Sequence, residues 1–179
     1  MSCIPSTPIV DNLLSDSTTD YGWQALGTGL ITTALSQYFP LLAGVVAFAN
    51  AAQTSRQHIV LEQLEFEETA SSAANIKKAP LIVLLYSGAA PTTPTSGAVY
   101  NGSTVNLVGV VEIATGDYKR VSDTVWVARV TPEIHWRTTN GVLASTLNAV
   151  VLSNSATSVT YAASAAGRLR VTNRMGTAL

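Results

Sequence analysis

The strongest apolar run in the chain lies within residues 79–91 (APLIVLLYSGAAP). Leu81, Ile82, Val83, Leu84, Leu85 and Tyr86 follow Pro80 and end at a Ser-Gly-Ala-Ala-Pro break. The run is far too short to cross a bilayer, and its Ile, Val and Tyr favour an extended backbone. Pro80 fits a strand start, where no ladder hydrogen bond is lost. The pattern predicts a strand covered on both faces, by a sandwich core on one side and by another sheet, arm or subunit on the other. Residues 59–68 alternate, with Val60, Leu64 and Phe66 on one face and Gln63, Glu65 and Glu67 on the other, and Glu62 interrupts the inner face.

Further strands are predicted over residues 41–49, 105–114, 124–131 (continued past Pro132 by residues 134–137), 145–152, 158–162 and 167–173. Gly109 inside the second of these marks a bulge or a close approach. Residues 124–131 set Val125, Val127 and Arg129 opposite Trp126, Ala128 and Val130. The last strand places Leu169 and Val171 inward and Arg168 and Arg170 outward. Residues 89–103, rich in Thr, Ser, Pro and Gly, form a long surface loop. Asn140-Gly141 is the clearest hairpin turn. About eight strands with short turns define an all-β, jelly-roll-like antiparallel sandwich.

The pattern divides the chain into an N-terminal arm, residues 1–38, and a sandwich body, residues 39–179. In the first part of the arm Pro, Ser, Thr and Asp surround small apolar clumps: Ile4, Ile9, Val10, Leu13 and Leu14. Anchors without a core of their own gain order by lying on a partner, so these five are candidate contact residues. Residues 23–38 read as helix or strand: Trp23, Leu26 and Leu30 sit near helical spacing, while Gly22, Gly27 and Gly29 weaken a helix.

Composition sharpens this picture. Charged residues make up only 12% of 179 residues, about half the usual share, while apolar residues make up 47%. Such a surface suits a protein that covers much of itself with partners. A net charge of −1 gives no electrostatic basis for binding nucleic acid, and no apolar run is long enough for a membrane. Arg168, Arg170 and Arg174 gather near the C-terminus, either to meet an acidic partner or as the solvated face of the last strand. Cys3 stands alone, so no internal disulfide is expected. No secretory leader opens the sequence, and synthesis in the cytoplasm is expected.

Catalytic chemistry finds little footing. His58 and His135 are the two histidines, and neither stands at metal-ligand spacing from another ligating residue. No phosphate-cradling Gly-rich loop, nucleophile elbow or zinc-protease motif occurs. No catalytic residue, metal or cofactor is assigned, and the chain reads as a non-enzyme. Trp23, Trp126 and Trp136 leave open a carbohydrate-binding β-sandwich, provided that their rings line one groove.

Several segments together resemble a known family. Residues 44–52 (GVVAFANAA), residues 79–91, residues 107–113 (LVGVVEI), and Tyr161 followed by residues 168–171 (RLRV) occur in this order. They are similar to stretches of the capsid decoration, or cement, proteins of tailed bacteriophages. The likeness spans about residues 40–175, and the 89–103 loop departs from the acidic segment usual before the Leu-Gly-Val-Val strand. The resemblance implies a jelly-roll virion protein, a homotrimer on the capsid surface that partners the major capsid protein and stabilises the head. A tail, neck or baseplate component with the same sandwich is the alternative within virions.

Overall fold

A computed structural model describes residues 17–20, 23–26, 30, 33–42, 44–48, 58–137 and 146–176. Their strands are β1 (Ser17–Asp20), β2 (Gln24–Ala25), β3 (Val46–Phe48), β4 (His58–Thr69), β5 (Leu81–Ser87) and β6 (Leu107–Ile113). Then come β7 (Tyr118–Ser122), β8 (Val125–Val130), β9 (Ile134–Arg137), β10 (Leu147–Ser153) and β11 (Ala166–Gly176). The larger sheet runs β1-β11-β4-β8-β7, with β2 also on β11 and β9 also on β4; the smaller runs β3-β10-β5-β6. All pairs are antiparallel.

The pairing is nested. β2 meets β11, β3 meets β10, β4 meets β8 and β9, and β5 meets β6. A chain whose early strands pair with its late ones, alternately in one sheet and the other, is a ribbon wound into a jelly roll. The fold is therefore the expected all-β jelly-roll sandwich. The two sheets bury one core, with Leu61, Leu64, Phe66, Leu81, Val83, Leu85, Leu147, Ala149, Leu169 and Val171 at its centre.

Three sequence expectations are altered. The register of β4 to β11 shifts between Thr172 and Asn173, which pair with Gln63 and Leu61 and leave Glu62 as the extra residue. This bulge flips the phase of β4: Ile59 and Leu61 join Leu64 and Phe66 in the core, and Val60 lies on the opposite face to the one predicted. Residues 158–162 form no strand; Val159 makes a single bridge to Leu35. β7 escaped the sequence pattern because only its first residue, Tyr118, is buried. The Asn140-Gly141 turn lies outside the described residues.

The described part of residues 17–38 contains no helix. Here β1 and β2 pair on β11, and Leu26, Leu30 and Leu35 enter the core. Gly109 does provide a close approach: a Cβ at this position would collide with the Ile134 side chain, and the β5–β6 register shifts beside it.

Candidate assembly surfaces

The sandwich presents two broad outer faces of opposite chemistry. On the larger sheet, β4 and β11 place Glu67 beside Arg168 and Glu65 beside Arg170, with Arg129 of β8 on the far side of Glu65. Directly opposed residues share a face, so the ladder assembles the ion pairs. Arg129 Nε donates to Glu65 Oε1 at 2.7 Å, and Arg170 Nη1 to Glu65 Oε2 at 3.1 Å. Arg168 Nε donates to Glu67 Oε1 at 2.9 Å, and Arg174 Nε lies 3.0 Å from Glu62 Oε1. The guanidiniums of Arg168 and Arg170 also lie 5.5 and 5.8 Å from the Trp23 ring. Glu65, only 2% exposed, is thus buried under arginines on the outer face, a burial its sequence position did not announce.

The three candidate arginines therefore come together, each paired with a carboxylate of β4. Arginines already held by carboxylates, with Arg170 and Arg129 sharing Glu65, offer an acidic partner less than three unpaired cations would. The other five candidates, Ile4, Ile9, Val10, Leu13 and Leu14, lie outside the described residues.

Glu68 points the other way, into the core, and is 0% exposed. Its carboxylate accepts the backbone N–H of Lys77 at 2.6 Å and of Lys78 at 2.8 Å. This clamp fixes the entry to β5, helped by the Tyr118 hydroxyl, which donates to the Ala79 carbonyl at 3.0 Å. Burial raises the Glu68 pKa above 4.5, against the lowering effect of the two N–H bonds and the two lysines. Burial likewise pushes the Tyr118 and Tyr161 hydroxyls up. Sequence reasoning gave Glu68 no role because its partners are backbone amides, which carry no sequence signal.

His135 sits on the outer face of β9. It lines a cavity of about 350 Å³ with Val60, Glu62, Thr131, Glu133 and Arg174. Among the described residues no group of three or more His, Cys, Asp or Glu could hold a metal ion.

The outer face of the smaller sheet is apolar. Ile82, Leu84 and Tyr86 of β5 join Val150 and Leu152 of β10, with Val45 and Leu107. Its cover comes from the chain itself. Residues 88–106 fold back over this face and bring Tyr100 against the cluster. Ser87 N–H donates to the Asn106 carbonyl at 2.9 Å, and Gly88 N–H to the Thr146 carbonyl at 2.9 Å. Tyr100 N–H reaches the Tyr38 carbonyl at 3.1 Å. The expected second cover of residues 81–86 is thus in part the long surface loop. Ile82 and Leu84 stay half-buried, while Val110, Tyr38, Val99 and Val105 are exposed.

The smaller-sheet side also lacks charge. Residues 33–48, 81–114 and 146–166 contain one charged residue, Glu112. The low charge of the whole chain is therefore concentrated here. The three tryptophans do not line one groove. Trp136 is buried in the core, Trp126 packs against the core beneath the Lys78 ammonium, and Trp23 lies against the arginines of the opposite face.

No protein-family model matches this chain, and no curated protein is similar to it. Among solved structures, one of Desmodium yellow mottle tymovirus is 12% identical, with a TM-score of 0.30 over 92% of this chain and 90% of that one. A structure of turnip yellow mosaic virus is 14% identical, with a TM-score of 0.27 over 92% and 96%. One of a marine algae virus of the order Picornavirales is 10% identical, with a TM-score of 0.28 over 92% and 72%. Superpositions at this level do not separate one β-sandwich from another, and the jelly-roll assignment rests on strand order and pairing.

Proposed function

We propose that this chain is a non-enzymatic structural protein of a virion. It acts as a decoration protein that associates with itself and with the major capsid protein on the head surface. The observation that carries the reading is the uncharged side of the sandwich, where an apolar sheet face and its covering loop carry one charge between them. Such a surface is stabilised by contact with another protein and has no cation with which to hold nucleic acid. The order of family-like segments supplies the virion setting. Capsid stabilisation then follows from mass action, because a ligand of the assembled shell shifts the equilibrium toward it. Many copies act together through multivalency. Residues 1–16, with their five apolar anchors, extend the contact.

The test is co-sedimentation of the purified chain with phage heads lacking it. Saturable binding to heads, with a rise in their thermal stability, is expected. Deleting residues 1–16 stops short of β1, so the sandwich should still fold while binding to heads weakens at least several-fold. Binding to tails and not to heads would move the protein to the tail or neck. Absence of binding to any virion part would end the reading.

A further inference from the structure

We propose that β6 is a pairing edge, joining β6 of a second copy antiparallel about a twofold axis at Val110, so that two four-stranded sheets become one. The proposal rests on the reading of the uncharged side as an assembly surface, and it names the contact.

Exposed sheet edges invite pairing, and proteins blunt them by shortness, charge, bulges or cover. In the larger sheet β1 has four residues, while β7 has five, carries Lys119 and Arg120, and is irregular between Arg120 and Ser122. In the smaller sheet β3 has three residues. β6 is blunted less: it has seven residues, LVGVVEI, with no lysine, arginine or proline, its one charge is Glu112, its one bulge lies at Val108 toward one end, and none of the described strands pairs on its outer side. Val110, opposite Leu84, is 49% exposed at its middle.

The occupant follows from charge. A charged partner strand would find one charge to answer on this side, Glu112. β6 reversed against itself is self-compatible once its bulge is counted: Val110 faces Val110, the bulged Val108 and Gly109 together face Val111, and Glu112 faces Leu107 and not its own copy. No like charges are opposed, and the half-buried Leu84 and Ile82 beside the seam gain cover from the second sheet. An isologous contact closes at two copies, whereas the family resemblance implies three.

Light scattering on the full chain is expected to give twice the 18.7 kDa chain mass. Val110→Lys and Val110→Glu, each alone, should return to the chain mass with unchanged circular dichroism, because each opposes its own charge across the axis. Mixed in equal amounts they should recover the pair. Val110→Cys in a Cys3→Ser background, a conservative change, should cross-link to a dimer on oxidation, since opposed residues in a ladder lie within disulfide reach. A wild-type monomer or trimer, single charged variants that remain paired, a mixture that stays monomeric, or a Val110→Cys variant that does not cross-link would each overturn the proposal. The head-binding assay separates this from the wider reading. A monomer that still binds heads refutes only the pairing, and a pair that binds no virion part refutes only the virion role.

Discussion

Glu68 shows how a single residue sets the entry to the central strand. Its two oxygens answer two backbone N–H groups that nothing else accepts from among the described hydrogen bonds. Glu68→Gln keeps one acceptor and turns an amide N–H₂ toward the other donor. It should cost about 1–3 kcal/mol at neutral pH, read by chemical denaturation. The pH dependence has a definite sign. The folded pKa is raised above 4.5, so the folded state holds this proton more tightly than the unfolded chain does. The carboxyl's contribution is therefore full below pH 4.5 and falls as pH rises from there through the folded pKa. The stability gap between wild type and Glu68→Gln should widen as pH is lowered from 7 toward 4.5. A constant gap would show that burial does not govern this carboxyl.

At the scale of elements, β5 is the strand on which both covers meet. Leu81, Val83 and Leu85 face the core, and Ile82, Leu84 and Tyr86 face the 88–106 loop side. A continuous apolar run cannot reveal which alternate residues take which face, because periodicity is lost when both are covered. The structure makes them unequal. Leu85→Ala should cost about 2–5 kcal/mol through a core cavity. Leu84→Ala, on the half-buried outer side, should cost clearly less and instead weaken self-association, as read by the denaturation midpoint and by light scattering. Equal losses of stability would mean that the outer cluster is as closed as the core. β4 teaches a related lesson. Glu62, which breaks the alternation in sequence, is the residue that the bulge leaves over, and the misfit was itself the signal of the bulge.

The whole molecule is divided by charge. One sheet carries the Arg–Glu ladder, and the other side carries Glu112 and little else. Contact through the uncharged side gains from apolar burial, which salt does not screen, whereas contact through the arginines would weaken as the screening length shortens. Self-association is therefore expected to hold or strengthen between about 0.1 M and about 1 M salt, measured by sedimentation velocity. A loss of association over that range would place the contact on the arginine face.

The sequence alone determined the fold class, most of the strands and the scarcity of charge. These depend on local alternation, turn residues and composition, which are written residue by residue. It could show that Arg168 and Arg170 face outward, but not that Glu65 and Glu67 wait beneath them, because the pairs span more than a hundred residues. β7 was illegible since an exposed, charged edge has no hydrophobic period. Tertiary structure decided the nesting of the strands, the bulge at Glu62, the clamp at Glu68 and the segregation of charge between faces. It also decided what covers residues 81–86, since a loop rich in Thr, Pro and Gly gives no sign of where it will lie. Each of these depends on which distant segments meet, and that is settled only when the two sheets close on one core.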